Sequence, residues 1–262
     1  MSDFLQQMAQ SSRARVPVSV PADADTAVHP LILNGFDLIA EVKLSAPSAG
    51  VLCAPDDPIA AVVEQAKAYA AGGAAAISVL TEPSRFGGSL AHLRAVARAV
   101  DLPVMRKDFL VSPVQVHEAR IAGASGVLLI LAILDDSVLE ACLEVARGYG
   151  MFVLLEAFDG PQLDRAARYV GPGVLLGLNC RDLRTLDVVP ERLTALGARF
   201  PAGAVRVAES GLYTPADAAT VAGCGYALAL VGSALMMSED PAGAVAQMVT
   251  AGRMEGARCV SV

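Results

Sequence analysis

The pentad Met105-Arg106-Lys107-Asp108-Phe109 places three charged residues in a row at the end of a short apolar run, Leu102 to Met105. The chain has only three lysines against seventeen arginines, and two of them, Lys43 and Lys107, stand where we predict β-strands to end. A lysine can shift its pKa on burial whereas arginine stays charged, so lysine is the better residue for proton transfer. Lys107 is therefore a candidate acid or base; the alternative, a solvated loop residue, is equally open from the pentad alone.

Candidate site residues stand at the ends of six predicted strands. They are Glu41 and Lys43 on the first strand, Arg106, Lys107 and Asp108 on the third, Glu156 on the fifth, Asn179 and Arg181 on the sixth, Glu209 and Ser210 on the seventh, and Gly232 and Ser233 on the eighth. Glu41 and Lys43 point to the same side of one strand, so the alternative for them is a simple ion pair. Ionisable groups turned into a fold are costly unless they are used or paired, so the whole set predicts an acid–base site.

Eight successive units of one strand and one helix position these residues. The predicted strands cover 36–42, 75–81, 104–106, 126–130, 152–156, 174–179, 205–209 and 226–231, and the predicted helices cover 58–71, 89–100, 113–122, 136–149, 161–169, 190–198, 215–222 and 241–251. The strand segments are apolar throughout, as strands buried on both faces are. Eight such units in a chain of 262 residues predict an α/β fold of the (β/α)8 TIM-barrel class.

We assign residues 1–34 to a short N-terminal extension and residues 35–262 to the catalytic barrel. The extension begins with a weak helical face, Phe4, Leu5 and Met8, and continues into a proline-rich segment. The competing fold is an open doubly wound sheet, but no Gly-x-Gly-x-x-Gly follows the first strand. A barrel carries its active site at the C-terminal ends of its strands, which is where the candidate residues stand.

Glycines follow the last two predicted strands in Glu209-Ser210-Gly211 and Val231-Gly232-Ser233. Barrels commonly bind phosphate at these two places through backbone N–H groups, and glycine lets the backbone approach the phosphate closely. The alternative is that Gly211 and Gly232 only form tight turns. The residues by themselves thus predict an enzyme that acts on a phosphorylated small molecule by acid–base chemistry.

Composition excludes several other classes of protein. The net charge is −7 and no basic patch is visible, so we expect no nucleic-acid partner. The five cysteines and three histidines lack the spacing of a metal or redox site, and we expect His92 and His117 at the surface. The longest apolar runs, Val127 to Leu134 and Tyr226 to Met237, are too short to span a membrane, and no signal peptide is visible. We therefore expect a cytoplasmic protein with no membrane contact and, without a strong interface signal, a monomer.

Several longer stretches carry a resemblance to one family. They are Ile39-Ala40-Glu41-Val42-Lys43, Phe86-Gly87-Gly88-Ser89, Arg106-Lys107-Asp108-Phe109, Gly126-Val127-Leu128-Leu129-Ile130, Gly177-Leu178-Asn179-Cys180-Arg181-Asp182-Leu183, Ala208-Glu209-Ser210-Gly211 and Val231-Gly232-Ser233-Ala234-Leu235-Met236. In this order and spacing, from about residue 36 to 240, the chain resembles the indole-3-glycerol-phosphate synthases of tryptophan biosynthesis. A generic phosphate-binding barrel would share the glycines but not the whole ordered set.

The resemblance implies that the enzyme closes the ring of 1-(2-carboxyphenylamino)-1-deoxyribulose 5-phosphate and releases carbon dioxide and water, without a metal or organic cofactor. It implies the following roles: Lys107 as general acid on the keto oxygen, Glu156 as base in the dehydration, Lys43 near the phosphate and the leaving hydroxyl, Glu41 and Glu209 as supports of the lysines and sugar hydroxyls, Asn179 and Arg181 as orienting groups, and Ser48, Ser210, Gly211, Gly232 and Ser233 in binding substrate and its phosphate.

The chain departs from the family pattern after the first strand. The family usually has Ser-Pro-Ser there, often followed by lysine, whereas this chain has Ala46 and Ala49 in the stretch Ser45 to Ala49. Ser45, one position earlier, is a candidate to compensate for Ala46, but we expect its side chain to point differently. The segment before the first strand is also shorter and richer in proline than the family's usual helical extension. The alternatives that remain are an isomerase of the same pathway, a paralogue for a related phosphorylated substrate, and a non-catalytic ligand-binding paralogue.

Overall fold

The computed structural model describes residues 4–15, 27–46, 50–51, 55–182 and 185–260, without the side chains of Ala46, Val51 and 258–260. Eight parallel strands form a closed barrel: β1 (Asp37–Val42), β4 (Ala76–Leu80), β5 (Val104–Lys107), β6 (Gly126–Ile130), β7 (Phe152–Ala157), β8 (Val174–Asn179), β9 (Val205–Glu209) and β10 (Leu228–Val231). Each strand pairs with the next barrel strand along the chain, and β10 closes the barrel by pairing with β1, with Asp37 opposite Leu228. The predicted (β/α)8 fold is confirmed.

Helices surround the barrel and connect its strands. They are α1 (Phe4–Ala14), α2 (Pro58–Ala71), α3 (Pro83–Phe86), α4 (Leu90–Ala99), α5 (Pro113–Ile121), α6 (Asp136–Gly148), α7 (Gly160–Ala166), α8 (Glu191–Ala195), α9 (Pro215–Gly223), α10 (Ser233–Met236) and α11 (Pro241–Val260). Three 3-10 helices, Leu131–Ile133, Ala167–Tyr169 and Gly197–Arg199, and a hairpin of β2 (Ser45–Ala46) and β3 (Gly50–Val51) complete the described elements. Of these helices, none has the length and apolar character needed to cross a membrane.

Local chemistry sets most helix starts where the sequence predicts them. Asp57 caps α2 by accepting hydrogen bonds from the backbone N–H of Ile59 (3.0 Å) and Ala60 (3.1 Å), and Pro58 occupies the first helical position. The unpredicted helix α3 begins in the same way. Buried Glu82 accepts from the N–H groups of Ser84 and Arg85 at 2.9 and 2.7 Å, so this carboxylate after a strand is a helix cap.

Two expectations about the periphery are wrong. The sequence predicts that the last helix stops before Gly252, but α11 continues to Val260. Gly252 lies against Phe36, where a Cβ would overlap the phenyl ring. This glycine serves close packing rather than helix termination. His92 is buried on α4 instead of exposed, and its burial lowers the pKa of the imidazole, whereas His117 is exposed as expected.

The core has two layers, as the continuous apolar strands require. Ile39, Met105, Leu128, Leu154 and Val207 fill the barrel interior. A larger cluster, in which alternate strand residues meet the inner faces of the helices, surrounds the barrel. Because the interior is packed with apolar side chains, polar side chains that point inward have room only at the C-terminal mouth, where the candidate site lies.

Candidate active site

One cavity opens at the C-terminal ends of the barrel strands. Of the residues proposed from the sequence, the cavity is lined by Glu41, Lys43, Lys107, Glu156, Asn179, Arg181, Glu209, Ser210, Gly211, Gly232 and Ser233. Ser48 lies outside the described residues, as does Ala49. The barrel therefore brings together side chains that are up to 192 positions apart, as between Glu41 and Ser233.

Glu41 on β1 is the anionic centre of a cluster that it forms with Lys43 and Lys107, which we call the lysine cluster. Lys43 donates a hydrogen bond to Glu41 Oε1 at 2.6 Å, and Lys107 Nζ lies 3.0 Å from Glu41 Oε2. Burial raises the pKa of this carboxyl, but the charges of Lys107 and Lys43 outweigh it and lower the pKa of Glu41 to about 2. The ion pair that the sequence left as an alternative for Glu41 and Lys43 therefore exists, but it belongs to a triad that includes Lys107.

Lys107 ends β5 with its ammonium group inside the cavity. Its side chain is 19% exposed. Burial lowers its pKa, but the carboxyl groups of Glu41, Glu156 and Glu209 together raise it above the ordinary value. Lys107 therefore stays protonated at neutral pH, and it faces acidic groups from three other strands.

Glu156 on β7 and Glu209 on β9 form a pair of acidic residues beside Lys107. Both carboxyl groups are buried. Burial raises the pKa of Glu156, opposed by the charge of Lys107 and by hydrogen bonds with Glu209 and Asn179. Burial and the neighbouring Glu156 raise the pKa of Glu209 well above its usual range. The pair therefore binds protons more tightly than exposed glutamates do.

Asn179 and Arg181 lie on the strand end next to these acids. Asn179 Oδ1 accepts a hydrogen bond from the backbone N–H of Arg181 at 2.9 Å, and Arg181 Nη1 donates to the carbonyl oxygen of Leu186 at 2.9 Å. Leu186 adopts a left-handed backbone with φ 67°. These bonds hold Arg181 at the cavity wall and leave other guanidinium N–H groups for a ligand.

Gly211 and Gly232, which follow the last two barrel strands, stand where other residues come too close for a side chain. Ser210 and Gly211 have φ values of 67° and 72°, and a Cβ at Gly211 would lie 2.9 Å from Cys180 Sγ. A Cβ at Gly232 would overlap Glu41 Oε1 and lie 2.9 Å from Lys43 Nζ. Besides turning the chain, each glycine therefore makes room for a neighbour, and Gly232 makes room for the lysine cluster itself.

The aromatic wall, defined as Phe4, Phe86 and Phe109, was missed as a site feature from the sequence. All three line the cavity; the ring centroids of Phe4 and Phe109 are 6.0 Å apart, edge to face, and those of Phe86 and Phe109 are 6.2 Å apart. Phe86 and Phe109 stand in the motifs that carry the family resemblance, so a signal for them existed. Phe4 comes from the N-terminal helix and has no such local signal.

Arg106 and Asp108 flank Lys107, but their hydrogen bonds and ion pairs are made with residues other than Glu41, Lys43 and Lys107. Arg106 donates to the Gln115 carbonyl oxygen at 2.8 Å and pairs with Asp108 at 3.0 Å, and Asp108 also accepts from Thr81 Oγ1 at 2.7 Å. Along a strand, alternate side chains point to opposite faces, so the charged pentad supplies one site lysine between two structural charges. Ser45, considered as a replacement for the residue at 46, donates its hydroxyl to the carbonyl oxygen of Arg85 at 3.1 Å.

Known proteins resemble this chain along most of its length. The protein-family model described as indole-3-glycerol phosphate synthase matches residues 10–248. An indole-3-glycerol phosphate synthase of Mycolicibacterium vanbaalenii is 45% identical over 243 residues, covering 93% of this chain and 85% of the relative. Another from a Nocardioides species is 49% identical over 214 residues, covering 82% of this chain and 80% of the relative.

Solved structures resemble the chain more distantly. The 3-hexulose-6-phosphate synthase from Salmonella typhimurium has a TM-score of 0.65 at 14% identity, covering 84% of this chain and 100% of that chain. The phosphoribosylanthranilate isomerase from Thermotoga maritima has a TM-score of 0.57 at 13% identity, covering 84% and 99%. At these identities the likeness shows the fold alone.

Proposed function

This chain belongs to the indole-3-glycerol phosphate synthase family, and on that premise we propose what each residue of its cavity does. The chain is a carboxy-lyase of tryptophan biosynthesis. It closes the ring of 1-(2-carboxyphenylamino)-1-deoxyribulose 5-phosphate and releases carbon dioxide and water to give indole-3-glycerol phosphate. The observation that carries the assignment of roles is the buried Lys107, paired with Glu41 at 3.0 Å and facing Glu156 and Glu209.

Lys107 is the general acid of ring closure. The substrate's keto oxygen gains negative charge when the aromatic carbon attacks the keto carbon, and a fixed ammonium beside it stabilises that charge and supplies a proton. The carboxyl groups around Lys107 support this role because they keep its amine protonated before the substrate binds. Glu41 holds the ammonium in place through the ion pair.

Glu156 is the base, and Lys43 is the second cation. In the dehydration the hydroxyl leaves as water after receiving a proton, and the ring loses a proton to a base. Lys43 contacts the other carboxylate oxygen of Glu41 from Lys107 and is proposed to act at the leaving hydroxyl and the phosphate. Glu156 lies in the cavity with Asn179 as a hydrogen-bond partner and is proposed to take the proton from the ring.

The remaining cavity residues bind the two ends of the substrate. Arg181 suits the carboxylate, because a guanidinium can donate two parallel hydrogen bonds to it. Ser210, Gly211, Gly232 and Ser233 are proposed to bind the phosphate, with Ser48 as a further substrate contact. The aromatic wall supplies an apolar surface for the anthranilate ring, against which that ring could pack edge to face or offset-stacked.

We also propose the setting in which the enzyme works. Residues 1–34 are an extension that completes the cavity of the barrel, 35–262, because α1 contributes Phe4 to its wall. One chain supplies both the acid–base groups and the aromatic wall, so we propose that the enzyme is a monomer. We also propose that it works in the cytoplasm. Size-exclusion chromatography with light scattering tests the monomer directly, and a dimer mass would contradict it.

A fluorescence assay for indole-3-glycerol phosphate tests the proposed function. The purified chain is mixed with 1-(2-carboxyphenylamino)-1-deoxyribulose 5-phosphate, and indole fluorescence is followed. We expect turnover above about 0.1 per second, toward the low end of ordinary enzyme rates. Absence of turnover, with binding of the substrate still measurable, would overturn the activity and redirect the search to a modified substrate.

A further inference from the structure

Glu209 is buried in the cavity, and no described group donates a hydrogen bond to its carboxyl oxygens. The residue is 1% exposed. Glu209 Oε1 lies over Gly177 on β8, and Gly177 is paired with Glu156 on β7, so the two buried carboxyl groups are neighbours. Two ionised carboxylates offer only acceptors, so a hydrogen bond between them requires that one of the two carries a proton.

Asn179 shows which of the two glutamates is ionised. Its Oδ1 already accepts the backbone N–H of Arg181 at 2.9 Å, which leaves the amide N–H groups as donors. Asn179 lowers the pKa of Glu156 and so favours its ionised form, whereas both carboxyl oxygens of Glu209 are buried without a partner in the described structure. Glu156 therefore has a donor that favours its charge, and Glu209 has none.

The surroundings of Glu209 favour its neutral form. Its carboxyl lies over Gly177 on β8, where a Cβ would overlap Glu209 Oε1 and would touch Leu154 at 3.1 Å. The charged or titratable groups that act most strongly on Glu209 include Glu156 on β7, Lys107 on β5 and Glu41 on β1, and the Cys180 thiol is also coupled to it. Lys107 is the cation among these groups, and its ammonium is already held by Glu41, as is that of Lys43, so Glu209 remains beside an ionised Glu156 with little compensation.

We infer that Glu209 acts as a protonated carboxyl that donates a hydrogen bond to Glu156, and that Gly177 provides the space this arrangement needs. The inference deepens the proposed function and rests on it, because Glu156 is the proposed base. In the dehydration Glu156 accepts the proton that the ring loses, while the proton of Glu209 stays on Glu209. Glu209 is then a positioning residue that keeps the base ionised and oriented, and it is neither a second base nor a counter-ion.

Two substitutions of Glu209 separate this role from that of a required negative charge. Glu209→Gln keeps a donor toward Glu156, and Glu209→Leu keeps only the bulk. We expect the Gln variant to keep a kcat at least ~30-fold above that of the Leu variant, within the roughly 10²–10⁴-fold that a positioned base contributes. The acid limb of the pH–rate profile should stay near the wild-type position in Glu209→Gln and move to higher pH in Glu209→Leu, where Glu156 has lost a donor.

Two further measurements keep the inference testable if the Leu variant does not fold. Gly177→Ala retains Glu209 but displaces its carboxyl, so we expect it to lose kcat and to shift the acid limb as Glu209→Leu does. Infrared difference spectra of wild type against Glu209→Gln at neutral pH should contain the C=O band of a protonated carboxylic acid, and this readout does not depend on turnover.

The outcomes distinguish this inference from the proposed function. If wild type turns over but Glu209→Gln is as inactive as Glu209→Leu, or if the protonated-acid band is missing, Glu209 works as an anion and the inference is overturned while the synthase assignment stands. If wild type itself does not close the ring, the proposed function fails and the role given to Glu209 fails with it.

Discussion

Arg15, at the end of the N-terminal helix, holds Asp108, the residue that follows Lys107, with two hydrogen bonds of 2.8 and 2.7 Å across 93 positions of sequence. Asp108 is fully buried as a side chain, and its pKa is lowered because the hydrogen bond with Arg15 and the charge of Arg106 outweigh its burial. The other end of the same helix places Phe4 against Phe109. Helix α1 is therefore fixed at both of its ends to residues that directly follow Lys107.

Arg15→Met should weaken substrate binding more than the chemical step. Without the guanidinium, α1 loses its bonds to Asp108, although Ser12 stays bonded to Gln115, so the aromatic wall loosens and KM rises, while Lys107 keeps its ion pair and kcat changes less. Stability should also fall by roughly 1–3 kcal/mol, because the buried Asp108 loses hydrogen bonds. The exposed Arg13→Met on the same helix is the matched control. Steady-state kinetics and thermal melts check this, and an equal loss in kcat with unchanged KM would contradict it.

Glu41→Gln should move the alkaline limb of the pH–rate profile to lower pH. The carboxylate of Glu41 raises the pKa of Lys107 against the effect of burial, so its removal lowers that pKa and the general acid loses its proton earlier. We expect a lower kcat at neutral pH that recovers in part as the pH falls. Glu64→Gln, an exposed position on α2, is the control. An alkaline limb at the wild-type pH would show that Glu41 does not set the protonation of Lys107.

Glu209→Gln should stabilise the fold at alkaline pH even if it lowers activity. The folded-state pKa of Glu209 is raised above its unfolded value, so this group stabilises the native state only at low pH and loses that contribution as the pH rises through the folded pKa. Near pH 4 the two proteins should melt alike. Near pH 8 the variant should melt a few degrees higher, since about 1 kcal/mol shifts the Tm of a chain of this size by roughly 2–4 °C. A pH-independent difference would contradict the raised pKa.

Gly232→Ala should reduce kcat/KM by displacing the lysine cluster. The new methyl group would overlap Glu41 Oε1 and lie 2.9 Å from Lys43 Nζ, so the pair must move. A misplacement of about 1 Å can cost roughly 100-fold in rate, and we expect a loss of that order. Gly148→Ala on α6, where a Cβ meets nothing within 4 Å, is the control and should leave kinetics unchanged. Normal activity in Gly232→Ala would mean that the Glu41–Lys43 pair has room to shift.

The sequence predicts the elements better than it predicts the contacts between them. Continuous apolar strands and helix caps such as Asp57 are local signals, and they place the barrel and the strand-end lysines and glutamates correctly. The bond from Arg15 to Asp108 has no local signal, because the two residues meet only after the barrel has formed. Gly252 shows the same limit, since its local pattern indicates a helix end whereas the ring of Phe36 requires a glycine inside the helix.

The aromatic wall illustrates why a site is harder to predict than its charges. Ionisable residues at strand ends are rare and conspicuous, whereas Phe4 is one apolar residue among many until α1 is seen against Phe109. Protonation is equally a property of the assembled site. Glu41 and Glu209 are the same residue type at two strand ends, yet neighbouring lysines lower the pKa of the first while burial and Glu156 raise that of the second.

The most direct test of the account compares two of the three lysines in single-turnover ring closure. Lys107→Met should lower the rate of indole formation by about 10²–10⁴-fold while substrate binding remains measurable, since a positioned general acid contributes that much. Lys67→Met, which changes an exposed lysine on α2, should react as wild type does. If Lys107→Met closes the ring at a rate near that of Lys67→Met, Lys107 is not the acid and the assignment of the cavity is wrong.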